Sequence, residues 1–261
     1  MSSFIYRYPP LQPGILLKRY KRFFADIQLE SGEIITAHCP NTGPMTDVST
    51  PGSPVQVSRS DNPKRKLSYT WEMIQVQEKG VGNGEWGVGE MGKSNISENK
   101  GTWVGINTGL PNRAIKLLLE KGLIPELTDS YNKISTEVIY GRDRKSRIDF
   151  LLTGDESQQP IYLEVKNVTW CEGRIALFPD TITTRGQKHL RELRELVPEA
   201  RSVMLYFINR GDCDRFSPGD SADPVYGKLL REGVAAGVEV LACRFDVTPE
   251  GIRYLGLAKF E

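Results

Sequence analysis

Six consecutive apolar residues, Val203-Met204-Leu205-Tyr206-Phe207-Ile208, would place apolar side chains on both faces of any strand they form. Such a strand is stable only where both faces of its sheet are covered, which is the condition met in α/β domains. The flanking patterns supply the cover. Pro111 to Lys121 puts Ala114, Ile115, Leu118 and Leu119 on one helical stripe, with Pro111 near its start and Gly122 as its stop. Thr183 to Val197 spaces Leu190, Leu193 and Val197 as a second helix, with Pro198 just beyond, and Gly227 to Ala236 reads as a third. Ile134 to Tyr140, Arg147 to Leu152 and Ile161 to Val168 read as strands, and Val238 to Phe245 as a final one.

The first eighty residues have a different texture. Ala25 to Glu30 alternates strictly, Ser31-Gly32 is a turn, and Glu33 to Ala37 returns. Pro40 to Pro44 and Thr50 to Pro54 are turn-rich, while Val55 to Val57 and Tyr69 to Gln77 supply further short strands. The expected fold is therefore a small β-sandwich or barrel over residues 1–80, an OB-like barrel being one option of the right size, followed by an α/β domain over 102–261. The glycine-dense stretch between them, 81–101, reads as a flexible insertion. Within it, Gly87-Val88-Gly89-Glu90-Met91-Gly92-Lys93-Ser94 matches the phosphate loop of NTPases. That loop needs a buried strand before it and an amphipathic helix after it. Neither is present in the sequence, so no nucleoside triphosphate is expected as partner.

Among the 261 residues, no apolar run approaches the roughly 18–20 needed for a membrane helix. Met1 to Arg7 lacks an apolar signal region. Cys39, Cys171, Cys213 and Cys243 are far apart in the chain and form no Cys-x-x-Cys pair, which speaks against a zinc finger or a disulfide framework. The expectation is a cytoplasmic protein that is not in a membrane, of oligomeric state left open.

The net charge of +1 hides a gradient, because residues 1–70 carry nine basic side chains against five acidic ones. The surplus gathers in Lys18-Arg19-Tyr20-Lys21-Arg22-Phe23-Phe24 and Lys64-Arg65-Lys66. Basic clusters interleaved with aromatics suit a single-stranded nucleic-acid groove, where phosphate neutralisation joins base stacking. They equally suit a solvated edge strand. At the start of the second helix, Arg185, Lys188 and His189 could hold a backbone phosphate or simply form a solvated basic face. His38-Cys39 is no nucleophile pair, since neighbours on a strand face opposite ways.

The chemistry concentrates in Asp149 and Glu164-Val165-Lys166. Glu164 and Lys166 share one strand face. A symmetric hairpin closed by 153–160 would pair Leu152 with Ile161 and set Asp149 opposite Glu164, with Cβ atoms about 4.5–5.5 Å apart. Two carboxylates that close call for a cation, and hard oxygen ligands favour Mg²⁺ or Mn²⁺. The Val165 carbonyl could add a third oxygen, and Lys166 could assist the attacking water or the charge on phosphate. A plain cross-strand ion pair remains the alternative.

The order helix, strand, strand with Asp149, strand with Glu164-x-Lys166, helix, buried strand resembles the PD-(D/E)xK nuclease superfamily, with Ile148 in place of the nominal Pro. Glu137, ahead of Glu120, is the candidate for the additional metal-site acid that many members carry. More specifically, Leu16 to Phe23, His38 to Met45, Ser58-Arg59-Ser60, Gly105 to Thr108, Tyr140-Gly141, Ser146 to Leu152 and Glu164 to Thr169 resemble the sugar fermentation stimulation protein family along nearly the whole chain. That resemblance implies an OB-like domain, a nuclease-like domain and DNA binding. The residues expected to contact the DNA are Lys18, Arg19, Lys21, Arg22, Arg59, Lys64, Arg65, Lys66, Arg185, Lys188 and His189. Two functions stay open: a Mg²⁺-dependent DNA phosphodiesterase, and a non-enzymatic regulator of sugar-utilisation genes that kept the fold. RNA as the polymer is a weaker third reading.

Overall fold

The computed structural model describes residues 3–77 and 101–261, so all of the segment read as an insertion except Gly101, with the Gly87–Ser94 motif in it, lies outside the described residues. The chain opens with β1 (Tyr6–Arg7), followed by β2 (Leu11–Tyr20), β3 (Phe24–Leu29), β4 (Ile34–His38), β5 (Pro54–Arg59), β6 (Tyr69–Val76) and β7 (Thr102–Gly105). These last six form one sheet in the order β4-β3-β2-β5-β6-β7, and a parallel β4–β6 pairing closes five of them into a barrel. The alternation in β3 sorts its side chains: Ala25, Ile27 and Leu29 enter a core with Leu16, Val55, Val57, Trp71 and Ile74. The basic segment belongs in part to β2, where Lys18, Arg19 and Tyr20 pair with β3 while the pairing of β2 with β5 covers Leu11 to Ile15.

The remaining elements are α1 (Leu110–Glu120), β8 (Lys133–Tyr140), β9 (Ser146–Thr153), β10 (Ile161–Val168), β11 (Trp170–Glu172), β12 (Ile175–Phe178), α2 (Thr184–Leu196), β13 (Arg201–Ile208), β14 (Arg215–Pro218), α3 (Pro224–Ala236), β15 (Glu239–Thr248), β16 (Gly251–Leu257) and β17 (Lys259–Phe260). Their main sheet runs β1-β16-β15-β13-β10-β9-β8, with β10, β13 and β15 parallel. A smaller sheet runs β11-β12-β14-β17.

The apolar β13 sits in mid-sheet, as its composition demands. Val203, Leu205 and Phe207 pack towards α1, in one core with Ile115 and Leu118. Met204, Tyr206 and Ile208 pack towards α2 and α3, in a second core with Leu190, Leu193, Tyr226 and Leu230.

Three boundaries differ from the sequence reading. β1 pairs with β16, so the N-terminal segment belongs to the α/β sheet and not to the barrel. β7 pairs with β6, so Thr102–Gly105 extends the barrel sheet and not the α/β domain. Val238 to Phe245 is not the last strand, because β16 and β17 follow it. The two units meet where Gly105 N–H donates to the Asn209 carbonyl and Asn209 Nδ2 donates to the Gly105 carbonyl. A Cβ on Gly105 would lie 2.1 Å from Asn209 Oδ1, so only glycine allows this approach.

Candidate functional site

The β9–β10 hairpin has the symmetric register, with Leu152 opposite Ile161 and Phe150 opposite Leu163. The ladder stops there. Phe150 and Leu152 bury on the α1 side, but Ile148 buries on the α2 side, so β9 changes face at Asp149. Asp149 therefore does not share a face with Glu164 as a directly opposed pair. Its Oδ2 instead accepts the Val165 N–H at 2.7 Å, and its Oδ1 accepts Asn112 Nδ2 from α1 at 2.8 Å. On a strand, the carbonyl of a residue points to the same side as its N–H, which directs the Val165 carbonyl towards the gap in the ladder.

Glu164 is 3% exposed and faces α2. Its Oε1 accepts Lys166 Nζ at 2.5 Å and also meets His189 Nδ1. Arg185 Nε lies 3.4 Å from His189 Nε2, and Lys166 Nζ lies 3.2 Å from His189 Nδ1, so the ring is held between the two cations and Glu164. Glu164 Oε2 is buried and has no hydrogen-bond partner among the described residues. Burial opposes the charge of Glu164, but His189 and Lys166 outweigh it and hold the carboxyl below its ordinary range. Burial, reinforced by the charge of Glu164, pushes Asp149 up despite the donors Val165 and Asn112. Two nearby carboxyls pushed apart in this way mark a candidate site for chemistry. An all-oxygen donor set containing a buried, unpartnered carboxylate oxygen fits a hard divalent cation.

The additional acids fall elsewhere. Glu137 takes a left-handed φ of 54° in β8 and is exposed, and Glu120 is exposed and paired with Lys116. The buried acid near the site is Glu192, one turn beyond His189, which accepts Ser146 Oγ at 2.8 Å. His189 itself is 3% exposed, so it sits in the carboxylate site and not on a phosphate-facing surface. Lys188 is ion-paired with Asp143 and Glu192, whereas Arg185 is exposed. Sequence reasoning missed Asn112 and Glu192; the spacing of Gly186, His189, Leu190 and Leu193 on one helical face was the signal that His189 turns inward.

The barrel register gathers the basic clusters at one rim. Phe24 pairs with His38, His38 with Thr70, and Tyr69 with Arg59, so the β2–β3 turn and the β5–β6 loop adjoin. Lys21, Arg22, Arg59, Lys64, Arg65 and Lys66 are exposed there, with Arg65 donating to Thr70 Oγ1. Lys18 pairs with Asp26 at 3.3 Å. Arg19 differs: its guanidinium donates to the carbonyls of Asn41 and Gly43 and clamps the loop after β4. That loop borders a cavity of about 140 Å³ shared with Asn167, Trp170 and Phe178 of the α/β domain.

Residues 17–83 match the family model of the SfsA N-terminal OB domain, and residues 109–251 match that of the sugar fermentation stimulation protein RE domain. The chain belongs to the sugar fermentation stimulation protein family. Relatives named sugar fermentation stimulation protein homolog are 66% identical in Trichormus variabilis, covering 99% of both chains, and 65% identical in Nostoc punctiforme, covering 100% of both. A solved structure of Pyrococcus furiosus SfsA in complex with Ca²⁺ is similar over 99% of both chains, at 26% identity and a TM-score of 0.80. The family's RE-domain match contains Asp149, Glu164, Lys166 and His189, and its OB-domain match contains the basic rim. No helix among the described residues is long and apolar enough to cross a membrane.

Proposed function

We propose that this family member is a DNA-binding protein with a divalent-metal-dependent phosphodiesterase site. The observation that carries the reading is the break in the β9–β10 ladder, where two carboxyls converge beside Lys166 and one keeps a buried oxygen without a donor. Asp149, Glu164 Oε2 and the Val165 carbonyl would hold Mg²⁺ or Mn²⁺, and the Ca²⁺ in the Pyrococcus furiosus relative is a cation of the same oxygen-seeking class. When bound, the cation neutralises phosphate charge and eases deprotonation of the attacking water.

The chain's own groups do the rest. Asn112 and the Val165 N–H fix the Asp149 carboxylate. His189 orients Glu164 and keeps it ionised, as supporting partners of ligating carboxylates do. Lys166, beside Glu164, meets charge developing on the phosphate. The rim with Lys21, Arg22, Arg59, Lys64 and Lys66 neutralises the DNA backbone.

The test is cleavage of labelled single-stranded, duplex and branched DNA with Mg²⁺, Mn²⁺ or EDTA, beside Glu164→Ala. Metal-dependent cutting that the variant lacks is the expected result. Binding without cutting on every substrate overturns the phosphodiesterase and leaves the DNA-binding regulator.

A further inference from the structure

Cys171 and Cys213 are 42 residues apart in the chain, yet their sulfurs lie 3.0 Å apart. β11 carries Cys171, and the turn between β13 and β14 carries Cys213. Cys213 is fully buried, whereas Cys171 is partly exposed and borders a cavity of about 630 Å³ lined also by Gly173, Arg174 and Arg210. Asp212 is close to both sulfurs, and the three groups could suggest a thiophilic metal. However, both oxygens of Asp212 are taken by Arg210, at 2.6 Å each. That leaves two thiols, fewer than the three or four protein ligands a zinc site uses.

We propose that Cys171 and Cys213 are a reversible dithiol pair that a hydroperoxide closes into a disulfide. The asymmetry assigns the roles. The Cys213 S–H directed at the Cys171 sulfur, together with the Arg210 guanidinium, holds Cys171 below the ordinary thiol range, while that same contact and burial push Cys213 up. Cys171, partly exposed on the cavity that Arg210 also lines while Cys213 is fully buried, is therefore the sulfur that reacts first. As the thiolate, its sulfur attacks the terminal oxygen of the peroxide, the O–O bond breaks, and hydroxide (alkoxide from an alkyl hydroperoxide) leaves and takes up the proton the thiol had given to solvent, giving a sulfenic acid at Cys171. The Cys213 sulfur then attacks it, the S–S bond forms, the S–O bond breaks, and a second water carries away the thiol proton. The two sulfurs lose two electrons and the peroxide gains them. The sulfurs need to approach by only about 1 Å to reach disulfide length.

Closure would tie β11 to the turn whose Asn209 and Arg210 contact β7 of the barrel sheet. The test treats the full chain with stoichiometric hydrogen peroxide, blocks free thiols, and maps the unreduced digest by mass spectrometry. The expected result is a Cys171–Cys213 linkage with loss of two of the four thiols, reversed by dithiothreitol. In Cys213→Ser, Cys171 should stop as a sulfenic acid that dimedone captures. Four thiols remaining free, or a linkage that leaves out either residue, overturns the proposal. The wild-type map decides the question even if the variant does not fold.

Discussion

Glu164 is 3% exposed and held by Lys166 and His189, whereas Lys64 and Lys66 stand exposed in a loop with no ion-pair partner among the described residues. The first arrangement works at low local dielectric, where each contact is strong and removal of one group is decisive. The second works in water, where each charge is screened and the effect accumulates over several residues. The two regions should therefore separate cleanly in experiment: chemistry lost at the carboxylates, binding lost at the rim.

The sharpest break is Glu164→Gln, which keeps the shape but removes the charge. Cleavage should fall by about 10²–10³-fold, the range lost when one group stabilising transition-state charge is removed. DNA affinity should stay within about twofold, since Glu164 makes no rim contact. Equal loss of binding and cleavage in a folded variant would break the division.

Next in size is the support of the buried side. Asp223, 1% exposed, accepts Thr183 N–H, Gln187 Nε2 and Tyr226 N–H and so ties the starts of α2 and α3 together. Burial acts against its charge, but these donors outweigh it and hold the carboxyl below the ordinary range. A lowered carboxyl gives stability that is present above its unfolded value and lost as pH falls through its folded value. Asp223→Ala should cost about 1.5–3 kcal/mol at neutral pH, with the difference from wild type shrinking in acid. Urea unfolding at neutral and acidic pH measures both. Asn112→Ala should weaken cation binding by about tenfold through loss of its hydrogen bond to Asp149. Titration with Mn²⁺ checks this.

How far the sequence is legible follows from which interactions are local. The hairpin register around 153–160 depends on loop symmetry, so Leu152 opposite Ile161 can be derived in advance. The face change at Asp149 cannot, because it depends on Ile148 finding the α2-side core while Phe150 fills the α1 side. The basic neighbours Arg185 and Lys188 argue for an outward His189, although its spacing to Leu193 already places it on the buried stripe. The short strands β11, β12, β14 and β17 carry too few residues for a period to show. The pairing of Cys171 with Cys213 rests on that small sheet and is equally hidden.

The smallest expected effect is the most diagnostic for the rim. Lys64→Ala and Lys66→Ala remove exposed charges, and neither side chain packs in the barrel core. If each lysine neutralises one DNA phosphate, its loss releases about one counterion fewer on binding. The slope of log affinity against log salt should then flatten by about one per lysine, uniformly across sequences. Arg19→Ala should behave otherwise, because its guanidinium is spent on the Asn41 and Gly43 carbonyls: the fold should lose stability while the salt slope barely moves. Affinity measured over a salt series for the three variants discriminates them. An Arg19 variant that stays fully stable but flattens the slope would make Arg19 a phosphate contact and extend the rim along β2.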